Sequence, residues 1–260
     1  MVRRILPAAL PLLAAAGTLA LSSPPATAAL TVASHPRIGA RAPSGSASNA
    51  GWASSNWSGY AQTGGTGAFT AITGQWTVTP VARTRSQTFS STWVGIDGFN
   101  DSSLIQTGTE ADYYNGSAHY YAWWEILPAA ETVIPSLPVQ PGDVMSAGIH
   151  RNSNGTWNIT LSDSRTGSFT TTQNYGGALT SAEWIQEAPS VGGRIANLAH
   201  FGNVTIDPGT LNGAPAGLTA SQGGVMIQHG VQVSTPSAPD GDKDGFAVAY
   251  GSSAPPVPAS

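Results

Sequence analysis

Ser91-Thr92-Trp93-Val94-Gly95-Ile96-Asp97-Gly98 is the stretch on which the fold turns. Trp93, Gly95 and Asp97 alternate with Val94 and Ile96, and a period of two places alternate residues on opposite faces of a β-strand. Gly98 supplies the break that ends it. The same alternation recurs at Trp76/Val78, Tyr121/Trp123/Glu125, Trp157/Ile159/Leu161, Glu183/Ile185/Glu187, Val204/Ile206 and Phe246/Val248/Tyr250. Turn clusters separate these runs: Thr63-Gly64-Gly65-Thr66-Gly67, Asn115-Gly116, Asn152-Ser153-Asn154-Gly155 and Gly176-Gly177. Many short strands with frequent turns, and almost no amphipathic helical pattern, predict an all-β sandwich or barrel. Pro208 to Gly224 reads as a long surface connection.

The N-terminus has Arg3 and Arg4, an apolar run from Ile5 to Leu21, and the small-residue segment Pro24-Pro25-Ala26-Thr27-Ala28-Ala29. This is the layout of a secretory signal, assigned to residues 1–28, and it predicts an extracellular product without a membrane anchor once the signal is cleaved. Residues 29–52 lack periodicity and read as a flexible leader or short pro-segment. The β-domain is assigned to 53–251 and a disordered Pro-rich tail to 252–260. No cysteine is present. Stability must therefore come from a core, which the roughly 230 residues after the signal can supply.

Charged residues make up 9% of the chain, 10 basic against 14 acidic, with Lys243 the single lysine. No basic stripe exists that could neutralise several phosphates, which excludes a nucleic-acid binder. A surface of Ser, Thr, Asn and Gly loses few ion pairs in acid, a property that suits an acidic medium and exported β-proteins alike. The Arg-over-Lys bias points to a high-GC bacterial source.

Familiar hydrolytic motifs are missing: no Gly-x-Ser-x-Gly, no Asp-Thr/Ser-Gly, no cysteine nucleophile, no His-Glu-x-x-His. The histidines at 35, 119, 150, 200 and 229 stand singly and read as surface or satisfied residues. Asp240-Gly241-Asp242-Lys243-Asp244-Gly245 has the opening of a calcium loop, but its twelfth position is Gly251 where a bidentate Glu is required. A solvated turn is the expectation there, with calcium left open. Asn56, Asn115, Asn154, Asn158 and Asn203 are formal glycosylation acceptors to which no function is assigned.

Three segments carry polar residues inside aromatic strands: the opening stretch with Leu104-Ile105-Gln106-Thr107-Gly108, then Tyr121-Ala122-Trp123-Trp124-Glu125, then Ala182-Glu183-Trp184-Ile185-Gln186-Glu187. Together they resemble the glutamic peptidase (eqolisin) family, from Asn56-Trp57-Ser58-Gly59 through Phe201-Gly202-Asn203-Val204. The resemblance implies a sandwich of two antiparallel sheets, concanavalin-like, with a concave active-site face. It implies a metal-independent acid endopeptidase acting on polypeptides without a cofactor, with Gln106 and Glu187 as the catalytic dyad. Trp57, Trp93, Asp97, Glu110, Tyr121, Trp123 and Glu125 are the expected cleft-lining residues, and Trp124, of opposite parity to Glu125, is expected in the core. Tyr121 and Glu110 depart from the family's string at their positions. Asp97 has an alternative as a turn brace, and Glu183 as a structural carboxylate. A monomer is expected.

The chemistry of the pair is elementary. A carboxylate can take a proton from water and return it to the leaving amine, while an amide N–H steadies the oxyanion. Two other readings fit the same residues: a glycoside hydrolase using Glu125 and Glu187, and a lectin-like carbohydrate-binding module presenting the tryptophans.

Overall fold

The computed structural model describes residues 33–37 and 50–260. The signal-like segment 1–28 lies outside them, as does most of the leader. In chain order the strands are β1 (Ala33–Ser34), β2 (Trp52–Ser54), β3 (Trp57–Thr63), β4 (Ala71–Thr77), β5 (Ser91–Ile96), β6 (Ile105–Tyr114), β7 (Ser117–Ile126), β8 (Thr132–Val133), β9 (Val144–Arg151) and β10 (Trp157–Asp163). They continue with β11 (Gly167–Gln173), β12 (Ser181–Glu187), β13 (Ser190–Val191), β14 (Arg194–Ile195), β15 (Asn203–Leu211), β16 (Ala214–Pro215), β17 (Gly223–Gln228), β18 (Val231–Pro236) and β19 (Phe246–Tyr250). A short 3-10 turn at Ala220–Gln222 is the single helical element among the described residues, so no helix there is long and apolar enough to cross a membrane.

Hydrogen bonding runs continuously through β11-β10-β9-β4-β15-β19-β18-β17-β3-β12-β5-β6-β7-β8. The path doubles back on itself, so that β4 and β9 pack face to face against β5 and β6. One half of it forms one layer, the half from β3 to β8 forms the other, and the expected two-layer antiparallel sandwich results. All ladder pairs along this path are antiparallel; β2 adds a parallel pairing to β17.

Alternation decides what lies between the layers. Tyr60, Val94, Trp184, Ile72, Trp76, Met145, Ile149, Trp157, Ile159, Leu161, Ile206, Phe246 and Val248 interdigitate in the main core. Trp124 packs against the same core, as its parity predicts. On the outer face of the second layer, Trp57, Trp93, Leu104, Tyr121, Trp123 and Ile185 form a separate aromatic cluster.

The segment after Pro208 is not a plain surface connection. Strand β15 continues through it to Leu211 and β16 folds back on its end. The register shifts between Ile206 and Gly209. Pro208 falls in that bulge, where its missing N–H interrupts no ladder bond. Residues 252–260 carry no regular structure beyond bends, and Ser260 Oγ accepts a hydrogen bond from Gly241 N at 2.9 Å.

Candidate active site

Strand registers bring the predicted residues into rows across one face. Trp57 pairs with Glu187, Glu187 with Ser91, Ser91 with Glu110, and Glu110 with Tyr121. Two residues along, Ile185, Trp93, Gly108 and Trp123 form the next row; two further, Glu183, Gly95, Gln106 and Glu125 form a third. All share one parity, so Glu187 and Gln106 lie on the same outer face with one aromatic row between them. Gly108 is required there, because a Cβ would come within 2.3 Å of Thr92 O and 2.5 Å of Trp93 Cβ.

Glu187 is fully buried, with hydrogen bonds on both oxygens. Trp93 Nε1 donates to Oε2 at 2.7 Å, and Asn56 Nδ2 donates to Oε1 at 2.9 Å. Burial raises the Glu187 carboxyl above its ordinary value, while the charge and hydrogen bond of His35 and the indole donor of Trp93 pull it back. Gln106 Nε2 donates to Glu125 Oε2 at 2.5 Å. One amide N–H is thereby fixed on Glu125 and the second is left to point elsewhere. Burial pushes Glu125 up to about 7, so below neutrality it is the neutral acid and puts no negative charge beside the Gln106 amide.

The remaining predicted residues divide. Trp57 stands edge-on to Trp93 with ring centroids 4.8 Å apart. Trp123 Nε1 donates to Ser91 Oγ, and Tyr121 Oη to Glu131 Oε1 at 2.8 Å. Glu110 is buried beside Ser91 and Asp112, and burial together with the nearby charge of Asp112 raises its carboxyl well above normal. Asp112 is itself pushed to about 8 by burial. Asp97 is not brought into the cleft, and that expectation is corrected: its carboxylate accepts from Tyr175 Oη, Leu179 N and Thr180 N at 2.7, 2.9 and 2.7 Å. With a φ of 71° it braces the turn that ends β5, the alternative reading of the sequence. Glu183 is buried on the face shared by Glu187 and Gln106, and burial holds its carboxyl far above the usual range, with Ser181 pulling it back in part.

Three residues were missed, and they complete the site. His35, expected to be an isolated histidine in a flexible leader, is fully buried against the face that carries Glu187 and Glu125. Its ring stacks on Trp123 with centroids 3.9 Å apart and planes 3° from parallel. Nδ1 lies 3.0 Å from Glu187 Oε2, Nε2 lies 3.3 Å from Glu131 and 3.6 Å from Glu110, and the backbone N–H donates to Glu125. Burial alone would depress the imidazole, but Glu187, Glu131 and Glu110 override it and hold the pKa well above 6.5. In its protonated form His35 donates from both ring N–H groups, to Glu187 and to Glu131.

The neighbours of His35 follow the same course. Ala33 N donates to Glu131 Oε1, Ala33 and Ser34 pair with Val191 and Ser190 as a strand, and Asn56 Nδ2 also reaches Pro36 O. Arg37 lies over Phe99 at 4.2 Å and over Trp52 at 5.3 Å. Ala33–Arg37 therefore lies against the face that carries Glu187, Glu125 and Trp123, and a concavity of the surface lies elsewhere, lined by Arg83–Gln87 and Tyr113–Gly116. A single His in a polar leader gives no periodic signal, and Glu131 stands in a Pro-rich connection. Asn56 had a signal in Asn56-Trp57-Ser58-Gly59.

With this geometry in view, the match of residues 55–248 to the model of the Peptidase A4 family is decisive. The chain belongs to that family. Aspergillopepsin-2 of Aspergillus niger is 28% identical over 215 residues, covering 73% of this chain and 76% of that protein. Among solved structures, scytalido-glutamic peptidase with a transition state analog inhibitor superposes with a TM-score of 0.64 at 22% identity, covering 75% of this chain and 98% of that one. The aspergilloglutamic peptidase of Aspergillus niger gives 0.56 at 29% identity, covering 63% and 99%. This Peptidase A4 protein is a glutamic peptidase with the eqolisin sandwich, and its substrates are polypeptides. The glycosidase and lectin readings fall with that assignment.

Proposed function

We propose that the protein is an exported acid endopeptidase in which Glu187 and Gln106 carry out the hydrolysis, and that Ala33–Arg37 keeps it latent until the leader leaves. The observation that supports the dyad is the shared face: Glu187, held by Trp93 and Asn56, and Gln106, anchored by one N–H on Glu125. With the cleft open, the Glu187 carboxylate takes a proton from water as the water attacks the peptide carbonyl. The free N–H of Gln106 stabilises the oxyanion, and Glu187 then returns the proton to the departing amine. Acid conditions suit a single carboxyl that must act in both directions, and they also keep Glu125 neutral.

The test is hydrolysis of denatured casein between pH 2 and 7 by the leader-free protein. Glu187→Gln should abolish cleavage, and Gln106→Ala should lower kcat by about 100- to 1000-fold, the loss seen for a single oxyanion donor. Unimpaired cleavage by the Glu187→Gln protein would sink the mechanism. The same Glu187→Gln chain, secreted from its own signal, would show whether residues 1–28 direct export.

A further inference from the structure

A second cluster of acidic side chains lies far from this chemistry in sequence and is built by tertiary contact. The loop from Ser237 to Gly245 joins β18 to β19 and carries Asp240 and Asp244. Ile206 of β15 pairs with Phe246 of β19, and that register brings Asp207 alongside Gly245. Carboxylate oxygens of Asp207, Asp240 and Asp244 all lie within 4.8 Å of one another. Among the described residues, no Lys, Arg or His forms an ion pair with any of them, and Lys243 projects to solvent.

Asp240 supplies an independent indication. The residue is only 6% exposed; its Oδ1 accepts from Asp244 N at 3.1 Å, but its Oδ2 is buried with no partner. A buried carboxylate oxygen left unpaired costs several kcal/mol unless it meets a proton or a cation. The oxygen is also aimed at Asp207: a Cβ on Gly245 would sit 2.4 Å from Asp240 Oδ2 and 2.6 Å from Asp207 Cγ. Glycine at 245 thus keeps open the space between two carboxylates. The loop backbone is held in place by Gly209 N donating to Asp244 O, Leu218 N to Lys243 O and Asp240 N to Gly245 O.

We infer that Asp207, Asp240 and Asp244 form a structural calcium site that pins the β18–β19 loop to the bulge of β15. The donors are all hard oxygens, with no imidazole or thiolate, which excludes a preference for zinc. Calcium accepts irregular six- to eight-fold oxygen coordination at about 2.3–2.6 Å, whereas magnesium demands a near-ideal octahedron at about 2.0–2.1 Å, so three carboxylates drawn from a loop and a bulge suit the larger ion. Water completes the shell, since Asp207 and Asp244 are partly exposed. The linear pattern fails as a calcium loop because the chain enters β19 at Phe246 before it can wrap the ion. The carboxylate that a later position would have supplied comes instead from Asp207, across the sheet.

Calcium chloride titrated into the full-length protein at pH 6.5, followed by calorimetry and thermal unfolding against an EDTA control, tests this. One equivalent should bind with a Kd of about 0.1–1 mM, the range of weak extracellular sites. At ten times Kd the folded-to-unfolded ratio rises about elevenfold, a gain of roughly 3–6 °C in Tm. Asp207→Asn and Asp240→Asn should each abolish most of the gain; Asp207→Asn guards against a folding defect at the more buried position. Absence of heat and of a Tm shift up to 10 mM calcium would overturn the site, as would an undiminished shift in Asp207→Asn.

Discussion

Replacing His35 with alanine removes the imidazolium from the Glu187 and Glu131 carboxylates and the stack from Trp123. Breaking one side of a buried ion pair costs about 3–5 kcal/mol, and an aromatic stack adds about 0.5–1.5 kcal/mol. The leader should then be held more weakly by a factor of roughly 100 to 1000, taking the lower end of about 3 kcal/mol. In the closed form His35 is raised well above 6.5, so its hold on the leader is fully present below that value and is lost as pH rises through its closed-form pKa. Glu187 is raised as well, by burial above all, so acid does not by itself loosen the leader through this carboxyl. The assay is the lag before peptide cleavage begins when purified full-length protein is brought to an acidic pH at which the leader-free protein is active, with the new N-terminus read by mass spectrometry. The unaltered chain should show a lag, and His35→Ala should shorten it by about 100-fold or more. An identical lag in both would refute the latency argument, even with the peptidase chemistry intact.

Other outcomes bear on the same geometry. Trp93→Phe removes the indole donor that lowers the Glu187 pKa, so the acid limb of kcat/KM should move up by about one pH unit. Asp97→Ala leaves the donors at Tyr175, Leu179 and Thr180 without their acceptor and should cost about 3 kcal/mol or more, a fall of roughly 6–12 °C in Tm. Because Asp97 braces a turn, KM of the surviving enzyme should stay unchanged; a rise in KM with unaltered Tm would return it to the cleft. Trp184→Ala would empty a core position, where Trp184 Nε1 also donates to Thr73 O at 2.7 Å, and should cost about 3–5 kcal/mol in chemical unfolding.

Whatever depends on period two and on local composition could be read from the chain alone. Trp93, Gly95, Glu183, Ile185, Glu187, Tyr121, Trp123 and Glu125 announced their strand faces because parity is a local property, and the registers then placed them in rows. The placement of Trp124 in the core and the all-β class follow for the same reason. Contacts between distant segments came from the packing. His35 meets Glu187 over a separation of 152 residues, and no pattern in an Ala/Ser/Gly-rich leader marks which side chain will be buried. Asp97 was legible as polar at the end of a strand, but whether its carboxylate faced a cleft or a neighbouring turn depended on where Tyr175–Thr180 packed. The Asp240 loop, incomplete in its own segment, gains Asp207 through the β15–β19 pairing. Alternation is written into neighbouring residues by backbone geometry, whereas a buried carboxylate takes its partner from whichever strand the fold sets beside it.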